Sequence, residues 1–374
     1  MVDKNLAGSS VNFTRRFAFL FPSDAIFCIL VRGDICFSQT PPNPVDALIF
    51  STLSYVRYKD FVSELPSKVM YLKQVAESIL EFQDAESLVR TKQDLELLAL
   101  VGETERFKNV GLTFYQDVFL PEEETQFAAI TFLLEDGSAF LTFRGTDRTL
   151  IGWKEDFNLI YQESIPAQRY AVEYVKTFAE SYSMPIRLSG HSKGGNLAVY
   201  AGAKCGKSIQ SQILEVYNQD GPGFTEQNLS DEEYCEITPK IKTYVPQSSL
   251  IGMLLEHEEE YMVIRSSQLG VLQNDPYSWE VLGKDFIYLN ETTPDSRFIE
   301  QTLKLWLETM SMEQRNELVD VVFDILASGK AIHTNEILHP QNLKEYYKSL
   351  SADEHKRNLL AKEITSLLRS ARRK

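Results

Sequence analysis

The sequence contains few of the residues from which metal sites and disulfide frameworks are built. Its 374 residues include four cysteines and five histidines. No two cysteines form a C-x-x-C pair, and no histidine lies at a metal-ligand spacing from any of them. We therefore expect no metal, no other cofactor and no disulfide framework, and interpret the cysteines as small buried hydrophobic residues. This cysteine usage fits a reducing, cytoplasmic setting.

Positive charge and long apolar runs are also scarce. The chain has 38 Lys+Arg against 53 Asp+Glu, a net charge of −15, which argues against nucleic acid or an anionic membrane as the main partner. No stretch reaches the roughly 20 apolar residues of a membrane helix. Residues 17–31 are largely apolar, but residues 22–24 (Pro-Ser-Asp) interrupt them and no small-residue cleavage site follows. Neither a signal peptide nor a stable membrane anchor is predicted.

The pattern of the remaining sequence predicts an α/β fold with a parallel-rich central sheet. Strands alternate with helices between residues 111 and 294, and Asp136-Gly137 is typical of a hairpin turn. The predicted strands are 126–134, 138–144, 186–188, 213–217, 241–245 and 261–265, and the predicted helices are 166–182 and 193–203.

Helical regions are expected on both sides of this core. Apolar spacing predicts helices in residues 1–110, at 45–56, 66–82 and 91–108. Residues 295–374 also read as helical, with capping boxes at Ser311/Gln314 and Ser351/Glu354 and a helix stop at Gly329. The predicted regions are therefore a helical N-terminal region (1–110), an α/β core (111–294) and a C-terminal helical region (295–374).

The most specific chemical signal is G-H-S-K-G-G at residues 190–195, which contains G-x-S-x-G around Ser192. A β-prone segment precedes Gly190 and a helix-compatible segment follows Ser192, as a nucleophile elbow requires. The glycines permit a turn tight enough to expose the serine hydroxyl, and the helix N-terminus favours negative charge beside it. Ser192 is therefore the predicted nucleophile, and the alternative is an ordinary Gly-rich turn.

A second element upstream fits an oxyanion hole. F-R-G-T-D, residues 143–147, ends a predicted strand. An oxyanion hole needs two aimed N–H donors: one from the residue after the nucleophile, here Lys193, and one from an earlier strand end, here Thr146. The alternative for this segment is an ordinary turn.

Taken together, F-R-G-T, the W-K-E-D-F segment with Trp153 and Asp156, and G-H-S-x-G-G resemble the class 3 lipase branch of the α/β-hydrolases. The chain resembles more closely the Mbeg-like family, hydrolase-like bacterial proteins that form a domain of unknown function. The resemblance covers roughly residues 30–290 and implies an α/β-hydrolase core with esterase or lipase-like activity. Further matching stretches are R-G-D-I-C-F (32–37), N-P-V-D-A-L-I (43–49), Q-F-A-A-I-T-F (126–132), D-G-P-G-F (220–224), V-P-Q-S-S-L-I-G-M-L-L-E-H-E (245–258) and N-D-P-Y-S-W (274–279).

The acid and the base of a catalytic triad are expected after the serine in the chain. Asp220 follows a predicted strand and opens D-G-P-G-F, so it is either the orienting acid or a residue that fixes the turn. Class 3 lipases carry the acid just before a V-P, where this chain has Thr243. Among the histidines, His257 is the candidate base, and its alternative is a solvated residue of an acidic segment. His191 lies inside the elbow, and His333, His339 and His355 lie in the C-terminal region.

The expected histidine position after the last core strand is occupied by Asn274. The resemblance leads us to expect Q-H-D-P in relatives, whereas this chain reads Q-N-D-P. Asparagine cannot accept a proton from serine near neutral pH. Two functions are therefore predicted: a serine hydrolase acting on a small-molecule acyl ester or thioester through Ser192, Asp220 and His257, or a hydrolase-fold protein that binds without turnover. The oligomeric state is not predicted.

Overall fold

The computed structural model describes residues 33–333 and 336–372, so the apolar segment 17–31 lies outside the described residues. A nine-stranded sheet runs through this part of the chain, in the order β1-β2-β3-β4-β5-β6-β7-β8-β11, and β9 and β10 form a separate hairpin. The strands are β1 (Met70–Tyr71), β2 (Gly111–Leu120), β3 (Thr125–Leu133), β4 (Ala139–Phe143), β5 (Ile186–His191), β6 (Ile213–Gln219), β7 (Ile241–Pro246), β8 (Tyr261–Ile264), β9 (Val281–Leu282), β10 (Asp285–Phe286) and β11 (Tyr288–Leu289).

Helices cover both faces of the sheet and continue beyond it at the C-terminal end. In the described ranges, none of them is both long enough and apolar enough to cross a bilayer. The helices are α1 (Pro44–Leu53), α2 (Leu72–Leu80), α3 (Lys92–Glu103), α4 (Leu150–Asn158), α5 (Pro166–Ser181), α6 (Lys193–Lys204), α7 (Lys207–Gln210), α8 (Glu226–Leu229), α9 (Glu232–Ile237), α10 (Pro294–Glu308), α11 (Met312–Ala327), α12 (Pro340–Ala352) and α13 (Glu354–Ser370).

The five central strands, β4 to β8, are parallel, while the outer strands pair antiparallel. Successive parallel strands are joined through α5, α6 and α9, so their carboxyl ends meet at one edge of the sheet. Ligand sites of α/β sheets lie at this edge. The mixed α/β class with a parallel-rich sheet, predicted from the sequence, is confirmed.

The two faces of the sheet are buried in separate apolar clusters. On one face α1, α2 and α3 pack against the sheet, and the Phe50 ring lies 4.7 Å from that of Phe132 and 5.0 Å from that of Phe140. On the other face α5 and α6 pack against the sheet, and Tyr174 stacks on Phe114 at 4.3 Å. Burial of apolar area on both faces holds the layers together, at about 25 cal/mol per Å². The first three helices thus share a core with the sheet, and the division at residues 110 and 294 stays a prediction.

The C-terminal helices contact the core through α4. Lys154 of α4 forms an ion pair with Asp320 of α11 at 3.0 Å, and Arg315 donates to the carbonyl of Ile160 at 2.9 Å. The N–H of Leu150 donates to the carbonyl of Ile332 at 3.0 Å. These bonds bring the segment after α11 to the same edge of the sheet as the elbow motif.

Most predicted elements agree with the structure, with three exceptions. The helix predicted at 66–82 is shorter, because Met70–Tyr71 form strand β1 and α2 begins at Leu72. Strand β2 was not predicted, because its first five residues are all buried and give no alternation. The Ser351/Glu354 capping box is wrong: α12 runs through Ser351, and Asp353 caps α13 instead, since its side chain accepts the N–H of Lys356. The Ser311/Gln314 capping box and the hairpin at Gly137 (φ 80°) are present.

Candidate active site

Ser192 lies in the turn between β5 and α6, at the carboxyl edge of the sheet. It has φ 57° and ψ −131°, a backbone conformation that costs a non-glycine residue about 1–3 kcal/mol and is typical of functional sites. The turn persists because its surroundings are packed around glycine: a Cβ at Gly190 would lie 2.1 Å from the carbonyl of Gly194. The Ser192 side chain has no hydrogen-bond partner among residues 33–333 and 336–372.

The F-R-G-T-D segment packs directly against this serine. A Cβ placed on Gly145 would lie 3.3 Å from the Cβ of Ser192 and 2.5 Å from the carbonyl oxygen of His191. The N–H of Thr146, the next residue, donates to no backbone carbonyl of the described residues. Lys193 is the first residue of α6, so its N–H has no partner within the helix. Two unpaired N–H groups therefore flank the serine, as an oxyanion hole requires.

Side chains behind the elbow fix these two residues. The ammonium of Lys193 is buried and contacts Glu155 Oε2 at 2.7 Å and the carbonyl of Gln126 at 2.9 Å. The Thr146 hydroxyl donates to the Asp156 carboxyl at 2.6 Å. Burial raises the pKa of Asp156 to about 6. Because both side chains are engaged, only the backbone N–H groups of Lys193 and Thr146 are available to an oxyanion. Glu155 was not singled out from the sequence, although it stands in the W-K-E-D-F motif.

Asp220 is fully buried just after β6, with φ 56°. The Ser249 hydroxyl donates to its Oδ1, and the Asn274 side-chain amide donates to its Oδ2 at 2.7 Å. Burial raises the pKa of this carboxyl to about 7, although both donors favour the ionised form. A carboxylate at this edge of the sheet, with a side-chain donor from the loop after β8, has the position of an acid that orients a catalytic base.

The side chain that Asp220 orients is Asn274, not a histidine. The backbone carbonyl of Asn274 is itself held by His191 Nε2 at 2.6 Å, while His191 Nδ1 contacts the Tyr55 hydroxyl at 3.1 Å. Because a carbonyl only accepts, His191 Nε2 carries the proton and Nδ1 accepts from Tyr55. Burial lowers the pKa of His191 to about 3, so this ring stays neutral and serves to position the Asn274 loop. Tyr55 could not be singled out from the sequence, because it lies far from the elbow in the chain.

His257, the predicted base, is buried with its two ring nitrogens occupied. Nε2 lies 2.7 Å from the carbonyl of Gly252, and Nδ1 lies 3.2 Å from Glu259 Oε1. Both partners are acceptors, so both nitrogens donate and the ring is an imidazolium. Although burial opposes the charge, Glu259 raises the pKa of His257, and the pKa of Glu259 in turn falls to about 2 despite its burial. In this arrangement His257 has no free lone pair for a serine proton.

The remaining predicted site features lie elsewhere. Thr243 donates to Glu259 and not to a residue of the elbow. His333 and His339 are exposed, and His355 pairs with Glu317 at 2.8 Å on the surface of the C-terminal helices. The described ranges contain no cluster of His, Cys, Asp and Glu that could hold a metal ion. The roles of Ser192, Asp220, His257, Thr146 and Lys193 therefore stay predictions.

The His257–Glu259 contact predicts a stability effect. We expect His257→Gln to lower the free energy of unfolding by about 3 kcal/mol near pH 6, because it leaves Glu259 buried without its cation. Since the folded-state pKa of His257 is raised, its contribution is complete below the unfolded pKa and is lost as pH rises through the folded pKa. The difference in unfolding free energy between wild type and His257→Gln should therefore be smaller at about pH 9 than near pH 6. Urea unfolding at both pH values measures this difference.

The matched control is His355→Gln, which removes an exposed His–Glu pair and should cost less than about 1 kcal/mol. If His257→Gln abolishes ester cleavage while the unfolding free energy is unchanged, His257 handles the proton and the interpretation as a buried ion pair is wrong.

Comparison with known proteins identifies the family of this chain. A crystal structure of M37 lipase matches with 13% sequence identity and a TM-score of 0.36, over 66% of this chain and 82% of that one. With a TM-score this low, neither the fold nor the function described here rests on that likeness. None of the curated protein sequences matches this chain. The family model described as Mbeg1-like matches residues 101–324, which span more than half of the chain. The chain therefore belongs to the Mbeg1-like family.

Proposed function

We propose that the protein is a serine hydrolase that cleaves an acyl ester or thioester, with Ser192 as nucleophile. The observation that carries the proposal is the Ser192 backbone, held at φ 57° and ψ −131° with its side chain unpaired against Gly145. Such strain persists only where the surrounding structure enforces it, and it presents the hydroxyl for attack. The partner in this proposal is a small acyl substrate, and the proposed location is the cytoplasm.

The proposed reaction proceeds in two steps. Ser192 Oγ attacks the carbonyl carbon, and the N–H groups of Lys193 and Thr146 stabilise the oxyanion. The bond to the leaving alcohol or thiol then breaks and leaves an acyl ester on Ser192. Water attacks that ester, releases the carboxylic acid and restores the hydroxyl.

The step without a suitable side chain in this mechanism is the transfer of the proton from the Ser192 hydroxyl. Asp220 orients the Asn274 amide, which cannot accept a proton, and both nitrogens of His257 donate elsewhere. The serine proton must therefore leave through water. A site of this kind favours leaving groups that depart without protonation, such as thiolates and phenolates. General base catalysis is worth about 10²–10⁴-fold, so turnover should be slower than in a complete triad by a factor of this order.

The Asp220–Asn274 hydrogen bond also supports a second candidate, a hydrolase-fold protein that binds an acyl compound without turnover. In that case the Asn274 amide is a fixed donor of the binding pocket. The two candidates differ in one observable: only the hydrolase transfers the acyl group to Ser192.

A burst experiment separates them. We expect a short-chain p-nitrophenyl ester to release about one equivalent of nitrophenol per protein before a slower steady state, because the phenolate leaves without protonation, whereas water attacks the acyl-enzyme more slowly without a base. Ser192→Ala should show neither phase, whereas the exposed control Ser208→Ala should behave as the wild type. Equal release from wild type and Ser192→Ala would eliminate the hydrolase and leave the binding protein.

The base position yields a gain-of-function prediction. We expect Asn274→His to raise the acylation rate by about 10²-fold, since an imidazole oriented by Asp220 can accept the serine proton. Its rate should rise with pH through about 6.5–7, as the added imidazole loses its proton. Stopped-flow release of nitrophenol measures both effects. Asn274→Gln is the control, because it keeps the amide and adds no base. If Asn274→His is no faster than Asn274→Gln, position 274 is not the position of the base.

A further inference from the structure

Four arginines meet in a cavity beside the elbow, in a chain whose net charge is −15. The cavity has a volume of about 240 Å³. It is lined by Arg57, Arg90, Arg144 and Arg148 together with Tyr55, Val89, Asp147 and His333. Drug-sized ligands occupy pockets of about 300–1,000 Å³, so this cavity suits one small group or one end of a larger substrate.

The residues that line the cavity flank the candidate oxyanion hole in the chain. Arg144 and Asp147 line it, and the two residues between them are Gly145 and Thr146. A Cβ on Gly145 would lie 2.2 Å from the Tyr55 hydroxyl and 3.3 Å from the Cβ of Ser192, so Tyr55, which lines the cavity, also borders the segment that packs against Ser192. A substrate whose carbonyl lies at Ser192 can therefore place a neighbouring group among the arginines.

The arginines differ in how far their charge is already neutralised. Arg144 is buried and pairs with Asp117 at 2.9 Å, so it forms a fixed wall of the cavity. Arg90 lies over the Tyr55 ring at 4.4 Å, and its Nη2 is 3.8 Å from both Asp94 and Asp275.

These long ion pairs leave hydrogen-bonding capacity on Arg90. Within the described residues, none of the three guanidinium nitrogens of Arg90 (Nε, Nη1 and Nη2) donates a hydrogen bond. A guanidinium that donates no hydrogen bond is unusual, since buried polar groups nearly always form at least one.

The two remaining guanidinium groups are free to bind. Arg57 and Arg148 are exposed and form no ion pair or side-chain hydrogen bond with the described residues. The acidic lining residue Asp147 is engaged locally, because its carboxylate accepts the N–H of Thr149 at 2.8 Å. Guanidinium groups bind carboxylates and phosphates through paired N–H donors, which makes an anionic group the ligand of matching chemistry.

We infer that this cavity is an anion subsite, and that the acyl substrate carries a carboxylate or phosphate group that lies between Arg57, Arg90 and Arg148. The inference rests on the proposed function of Ser192 as nucleophile. It excludes plain long-chain triacylglycerols, which carry no charge, as the preferred substrate. It also accounts for the clustering of four arginines at one point of a strongly acidic chain. There they attract an anion that the negative charge of the rest of the molecule repels.

The test compares anionic esters of nitrophenols, each with a neutral ester of the same acyl length and with its nitro group at the same ring position. A p-nitrophenyl ester with a terminal carboxylate on its acyl chain is set against the neutral ester of the same length. A 3-acyloxy-4-nitrobenzoate carries the carboxylate on the leaving phenol instead, so the two arms show which half of the substrate holds the charge. We expect one of the anionic esters to acylate Ser192 with the higher kcat/KM. The Arg57→Gln/Arg148→Gln double variant should reduce that preference by about tenfold or more, since charge-assisted hydrogen bonds are lost.

The control double variant is Lys284→Gln/Lys344→Gln, which removes the same charge from exposed lysines that form no ion pair within the described residues. It should keep the preference. Two results would overturn the inference without contradicting the proposed hydrolase. One is reaction at Ser192 with no preference for either anionic ester, and the other is an equal preference in both double variants.

A second measurement does not depend on catalysis. Calorimetric titration of Ser192→Ala with inorganic phosphate should show binding that the Arg57→Gln/Arg148→Gln change removes and the lysine control retains. If Ser192 proves unreactive but this pattern holds, the proposed hydrolase fails and the anion subsite survives as a binding site. If Ser192 is unreactive and phosphate binds equally to all variants or to none, the subsite fails as well.

Discussion

The close approach of the β5–α6 turn to the end of β4 is the constraint on which the site depends. A Cβ on Gly194 would lie 2.1 Å from the carbonyl oxygen of Phe143 in β4, and a Cβ on Gly190 would lie 2.1 Å from the carbonyl of Gly194 within the turn itself. This contact holds Ser192 at a positive φ and aligns its hydroxyl with the N–H groups that follow β4. The buried Lys193–Glu155 pair then attaches the start of α6 to α4. Removing either contact would release the backbone strain at Ser192.

In the second half of the candidate site, a buried carboxylate orients an amide side chain. Asp220 still lies buried at the end of the next strand and still orients a side chain from the loop after β8. That side chain is Asn274, and the loop is fixed from behind by neutral His191 and Tyr55. A fixed amide keeps the hydrogen-bond geometry of a triad while removing its proton acceptor. In the proposed mechanism, attack by serine with oxyanion stabilisation remains, and these two elements alone retain catalysis in triad hydrolases that lack a base.

Local sequence patterns predicted the parts of the site that are local in the chain. The elbow is readable because a strand, a G-x-S-x-G turn and a helix follow one another within about 20 residues. The position of Asp220 is readable because it directly follows a strand. The contacts of the His257 ring could not be predicted from the sequence: its partners Gly252 and Glu259 are neighbours in the chain, but the contacts depend on how that loop folds back. The arginine cavity combines residues 57, 90, 144 and 148, which no short-range pattern connects. Strand β2 was missed since its first five residues are all buried and have no alternation.

The most direct test of the central claim is to treat the protein with a fluorophosphonate probe and to locate the modified residue by tandem mass spectrometry. If the elbow presents an activated nucleophile, one probe molecule is attached per chain, on the hydroxyl of Ser192, and the addition is absent from Ser192→Ala. Prior incubation with an activated ester should slow the labelling, because the same hydroxyl is acylated. An unmodified Ser192 in folded protein, or labelling spread over other serines, would contradict the assignment of Ser192 as a nucleophile.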